Sequence, residues 1–232
     1  MTPLAQLVIH KRTQSNCESD NGFCPSWIAD NWHRYEHPFL QHVYLTLIAL
    51  AIGFVIAGSL GLIAHRRRWV IPPVVFITGV MYTIPSLSLF FLLQPVTGRG
   101  NTTALVALVS YTLLIIFRNV IVGLDGVAPE TRDAARGVGL TDRQLLWRVE
   151  VPLALPEIMA GLRVAATTTV GLATLAFFAG AGGLGGAIFA DLNFKSNVIV
   201  AGGLCVLLAF ALDLLILGVQ RALTPWRKVR SA

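Results

Sequence analysis

Charge is scarce in this chain of 232 residues: 18 Lys and Arg and 12 Asp and Glu make 13% of the total, against roughly 25% in a soluble globular protein. That deficit, with 55% hydrophobic residues and a mean hydropathy of +0.68, argues against disorder and against a nucleic-acid-binding domain. Cysteine is scarcer still, at three residues, which excludes a disulfide scaffold. Cys205 reads as a packing residue in a span, while Cys17 and Cys24 share the N-terminal tail and can pair if it faces an oxidising compartment. Lysine occurs only at Lys11, Lys195 and Lys228. None follows a glycine in the phosphate-cradling pattern, so no ATPase is encoded here. The histidines, His10, His33, His37, His42 and His65, are read as lying outside the spans, which removes an intramembrane serine hydrolase. No metal-ligand cluster is expected.

What charge there is falls in clumps. No Asp, Glu, Lys or Arg occurs in 37–65, 69–98, 100–117, 164–190 or 196–212, and a helix needs about 20 apolar residues to cross the hydrocarbon core. Backbone satisfaction and the absence of strand alternation favour helices over a barrel. The expectation is an all-α integral membrane protein with about five transmembrane helices, near 40–64, 70–94, 101–122, 158–180 and 197–219. With the N-terminus outside, thirteen of the eighteen Lys and Arg, including Arg66, Arg67, Arg68, Arg118, Arg132, Arg136, Arg143, Arg148 and Arg163, fall on the cytoplasmic side, so N-out/C-in is preferred. The net charge of +6 then reports topology and lipid headgroups, with no reason to invoke nucleic acid.

Three regions follow: an external tail over 1–39, with an interfacial helix over 25–38 and no evident signal peptide; a membrane domain over 40–222; and a basic cytoplasmic tail over 223–232. The one long connection, 123–157, is expected to be a pair of short helices. Pro129 and Glu130 suit a first turn, and Gly137 or Gly139 can close it. Thr141 with Gln144 makes a capping box for a second helix, 142–149, which Pro152 stops. Leu145, Leu146, Trp147 and Val149 are offered for packing. Pro156 and Glu157 begin the next span.

Asp133-Ala134-Ala135, then Gly139, then Val149-Glu150-Val151-Pro152 resembles the cytoplasmic signature of permease subunits of binding-protein-dependent ABC importers: Glu-Ala-Ala, three residues, Gly, nine residues, Ile, any residue, Leu, Pro. The spacing matches, with Asp133, Val149 and Val151 as conservative departures. Tyr82-Thr83-Ile84-Pro85-Ser86-Leu87, Ile116-Phe117-Arg118-Asn119 and Gly180-Ala181-Gly182-Gly183-Leu184-Gly185 are similar to the osmoprotectant branch, which imports glycine betaine, carnitine and choline. The resemblance implies the type I ABC importer permease fold in a bacterial inner membrane. It implies three partners: an ABC ATPase subunit that binds ATP and Mg, a second permease subunit, and an external solute-binding protein. This chain would hold no cofactor and catalyse nothing. Asp133, Ala134, Ala135, Gly139, Val149 and Pro152 would mark the contact with the ATPase. The alternatives are an importer of another small solute, such as an amino acid, or a membrane channel or structural subunit without ATP coupling.

Tyr82, Thr83, Pro85 and Ser86 are candidates for the translocation path, because Pro85 interrupts the second span and frees backbone carbonyls. Phe90 and Phe91 could assist a quaternary ammonium ion. The glycines between 180 and 186 are read as a packing surface. Asp213 is expected to snorkel or to pair toward Arg221, and Arg118 and Arg163 to anchor the long loop to headgroups or helix C-terminal carbonyls, with a functional ion pair as the alternative.

Overall fold

A computed structural model describes residues 22–226, and among these all regular structure is helical. The expectations for 1–21, Cys17 among them, and for 227–232 lie outside the described residues. A short helix α1 (Pro25–Asp30) leads into α2 (His33–Arg66), which takes up Pro38 where the interfacial helix was expected to continue. After a 3₁₀ turn come α3 (Ile71–Thr83) and α4 (Ser86–Thr97), bent by 103° at Ile84-Pro85. Then follow α5 (Asn101–Asp125), α6 (Pro129–Gly137), α7 (Asp142–Leu145), α8 (Val151–Ala173), α9 (Leu184–Ala190) and α10 (Lys195–Leu223).

Among the described residues three helices, α2, α5 and α10, are long and apolar enough to span, and the bent α3–α4 pair makes a fourth when taken as one broken span. The expected count was five. The difference is α8, in which Glu157, Arg163, two prolines and Thr167–Thr169 dilute the apolar run. This helix also starts earlier than 158–180, because neither Pro152 nor Pro156 stops it, and it ends earlier, at Ala173. Pro152 directly follows a π-helical turn, where the ordinary hydrogen-bond ladder is already shifted, and Pro156 lies inside the helix, where it forfeits one bond without ending it. A π-helical turn, Leu146–Glu150, joins α7 directly to α8, so the expected stop at Pro152 is a continuation.

The core is α5, gripped by α2 on one side and α8 on the other, with α10 against α8. Small residues set the separation. A Cβ on Gly61 would stand 2.4 Å from the Val120 side chain, and one on Gly161 would stand 2.3 Å from Cβ of Asn119. Such close approach is how helices gain packing energy without a hydrophobic driving force between them. Ile116, Phe117, Val120 and Leu124 of α5 meet Ala57 and Ala64 of α2 and Ala154 and Ile158 of α8 in one buried cluster.

The helix ends segregate. At one end Tyr35 donates to Oδ1 of Asn197 at 2.8 Å, and Gly100 N–H donates to the Ala179 carbonyl at 2.7 Å. At the other, Arg68 meets Asp125, His65 meets Glu150, and Trp226 lines one cavity with Gly123 and Glu157. The glycine-rich stretch is a packing surface, as expected. A Cβ on Gly185 would fall 1.7 Å from the Thr174 carbonyl oxygen, and the side chain of Gln41 donates to the Ala181 carbonyl. His42 is fully buried inside α2, contrary to its placing outside the spans, with Nε2 3.0 Å from the Val170 carbonyl oxygen.

Candidate coupling site

Between α5 and α8 the chain forms a hairpin of two helical arms. Pro129 occupies the first turn of α6 with Glu130 beside it, where a carboxylate favours the helix dipole. Gly139, at φ +84°, closes this arm. Its N–H donates to the Arg136 carbonyl at 2.9 Å and the Leu140 N–H to the Ala135 carbonyl at 3.2 Å, the paired bonds of a Schellman cap. Gly137 stays within the helix. The second arm starts on the expected capping box, with Thr141 and Gln144 each satisfying the other's backbone.

One face of the hairpin is docked and the other is free. Ala135, Leu145 and Leu146 are buried, while Asp133, Ala134, Gly139 and Trp147 are exposed. Trp147 therefore does not pack as expected. Val149 and Pro152 are half-buried on the stretch from the π turn into α8. A Cβ on Gly139 would meet nothing within 4 Å, so this glycine is held by its backbone conformation and the surface over it is open.

Docking is fixed by a polar cluster that sequence reasoning did not anticipate. Glu150, 6% exposed, receives Nε of Arg132 on Oε1 at 2.8 Å and Nε2 of His65 on Oε2 at 3.2 Å. Arg132 also donates at 2.6 Å to the Leu124 carbonyl at the end of α5, where the Val127 N–H reaches it only at 3.5 Å. Asp125 accepts from Arg68 at 2.6 Å and lies 3.6 Å from Nδ1 of His65. Three basic side chains and two acids thus lock the ends of α2 and α5, the π turn and α6 together.

The other sequence candidates lie apart from the hairpin. Tyr82, Thr83, Pro85 and Ser86 all sit at the α3–α4 break. Tyr82, Thr83 and Pro85 are exposed. The hydroxyl of Tyr111 donates to the Ile84 carbonyl that the break releases, and its ring stands edge-on to Tyr82 with centroids 5.7 Å apart. Phe90 is fully buried, which makes it core, whereas Phe91 is exposed and stacks edge-on with Phe178. Asp213 pairs with Arg163 and not toward Arg221, and Arg163 is thereby taken from its expected anchoring role. Arg118 is exposed.

Residues 43–229 match the family model described as binding-protein-dependent transport system inner membrane component. The glycine betaine/carnitine/choline transport system permease protein OpuCB of Bacillus subtilis is 36% identical over 80% of this chain and 86% of its own length. The osmoprotectant import permease protein OsmW of Salmonella typhimurium is 37% identical over 80% of this chain and 89% of its own. Among solved structures, a chain of the MetNI methionine ABC transporter in an inward-facing conformation superposes with a TM-score of 0.72 at 22% identity, covering 87% of this chain and all of that one.

Proposed function

The chain belongs to the family of binding-protein-dependent transport system inner membrane components, and on that premise we propose that it is the permease of an ATP-driven importer of osmoprotectants such as glycine betaine, choline or carnitine. Membership brings an ATPase and a solute-binding protein as partners; a second permease subunit, identical or similar, completes the assembly in this reading. ATP and Mg are held by the ATPase. The membrane domain is 40–222, the hairpin within 123–157 docks on the ATPase, and the end carrying the arginines faces the cytoplasm.

The observation that carries the coupling role is the two-sided hairpin: Asp133, Ala134 and Gly139 exposed on one face, Arg132 and Glu150 locked to the membrane helices on the other. A conformational change is transmitted only through an element stiff enough not to absorb it. The solute assignment rests on what the relatives named above are called. Tyr82, Thr83, Pro85 and Ser86 line the path in this reading, with Tyr82 offering an aromatic face to a quaternary ammonium ion.

The test is reconstitution of the chain with its ATPase and binding protein in proteoliposomes. ATP-dependent uptake of labelled glycine betaine, choline or carnitine is expected. Uptake of an amino acid such as methionine, with none of these three, would overturn the substrate class; uptake independent of ATP would overturn the coupled role.

A further inference from the structure

Leu146, Glu150, Ala154 and Ile158 follow one another at steps of four and all are buried. This is one stripe of a continuous helix facing the core, and on it a single carboxylate replaces an apolar side chain. A buried acid is costly unless both oxygens find donors. Here each does, and the two donors come from different elements. Oε1 takes Arg132 from α6, and Oε2 takes His65 from the last turn of α2.

The location compounds the observation. Glu150 is the last residue of the π turn, a local widening that recurs at functional positions in helices. Without the carboxylate, α6 would be tied to the bundle through Ala135, the hydrogen bond from Arg132 to Leu124, and the covalent chain into α5 and α7. Apolar packing also reaches α2, since Leu146 of the π turn shares a buried cluster with Ala64. Among the hydrogen bonds and ion pairs of the described residues, the one that joins the hairpin to α2 is that of Glu150 with His65.

We propose that Glu150 is a positioning residue of the transport cycle: it holds the ATPase-contacting arm α6 against the end of α2, so that displacement of the hairpin moves α2 together with α5 and α8. This rests on the reading of the hairpin as the ATPase contact. Arg132 and His65 are the two hands of the strut. Asp125 and Arg68 flank it, with Asp125 set 3.6 Å from the second His65 nitrogen.

Loss of the strut leaves a motor that turns over without moving the full bundle. In proteoliposomes containing the complete complex, Glu150→Ala is expected to lower uptake per assembled complex by about tenfold or more, while ATP hydrolysis per complex stays within about twofold. A parallel fall in both, with the solute-to-ATP ratio unchanged, would overturn the proposal, because a purely structural defect lowers both together. Arg132→Ala and His65→Ala each cut one hand and give the same test should Glu150→Ala fail to assemble. Both are expected to reduce the ratio.

Spin labels on unnatural amino acids at Arg67 and Arg136 supply a readout that needs no solute. Their separation is expected to stay fixed between nucleotide-free and ATP-bound complexes and to become nucleotide-dependent in Glu150→Ala. A separation that changes equally in both would sink the strut. If the unmodified complex imports none of the tested solutes but the labels behave as expected, the strut stands and the substrate reading fails.

Discussion

Arg163 of α8 and Asp213 of α10 meet side by side: Nε donates to Oδ1 and a terminal guanidinium nitrogen to Oδ2, both at 2.7 Å. The fork geometry fixes both side chains and ties α8 to α10. Each charge sits well inside its helix, where an ionisable group without a partner is unfavourable.

The pair therefore predicts a non-additive cycle. Arg163→Gln and Asp213→Asn should each lower the thermal stability of the detergent-solubilised protein, since each strands one charge. The double variant should be more stable than either single one. Additive losses in a thermal unfolding series would mean that the two groups do not depend on each other.

Gly139 makes a prediction about backbone and not about space. Because its φ is +84° and nothing lies within 4 Å of where a Cβ would stand, Gly139→Asn should keep most uptake while Gly139→Val loses it. The left-handed conformation costs an ordinary residue about 1–2 kcal/mol, and asparagine tolerates it best. Equal loss in both variants would point to a steric clash with the ATPase as the dominant effect.

At the α3–α4 break, Tyr111→Phe removes a single heavy atom, the hydroxyl oxygen that donates to the Ile84 carbonyl. An acceptor left without its donor costs about 1–3 kcal/mol when buried, and less at this part-buried bond. Lower thermal stability is expected, together with weaker uptake, because the angle between the helices loses its tie. Unchanged melting in Tyr111→Phe would show that Ile84 finds another donor.

Orientation is open to a labelling experiment. Single cysteines at Arg99 and at Arg136, at opposite ends of the bundle, should differ in intact cells. The first is expected to react with a membrane-impermeant maleimide and the second only after permeabilisation. The reverse pattern would invert the topology and detach the hairpin from any cytoplasmic ATPase.

The sequence made some of this legible and hid the rest for definable reasons. Charge-free runs located α2, α5 and α10 because composition alone decides which segments suit hydrocarbon. The capping box at Thr141 and Gln144 and the glycine closure after α6 were readable because local side-chain chemistry satisfies local backbone groups. Pro152 misled, since the π turn just before it shifts the backbone ladder and the helix runs on through the missing donor. Glu150 is hidden by its place at the variable position of a motif. Its signal is nonetheless present: an acid within the spacing Leu146, Glu150, Ala154, Ile158 is a charge on a buried stripe, and such a charge needs partners from elsewhere in the fold. The pairing of Arg163 with Asp213, fifty residues apart, depends on how α8 and α10 rotate against each other, which no local pattern encodes.

The 103° bend between α3 and α4 gives the fold an elbow. A straight rod pushed at its foot can only slide or tilt, whereas an angled one converts the same push into a sideways sweep of its far arm. The twelve residues of α4 make that arm about 18 Å long, so a swivel of about 5° at Pro85 carries Thr97 through about 1.6 Å. In the proposed reading, with Tyr82, Thr83, Pro85 and Ser86 on the path, a modest stroke at one end is enough to widen or pinch it.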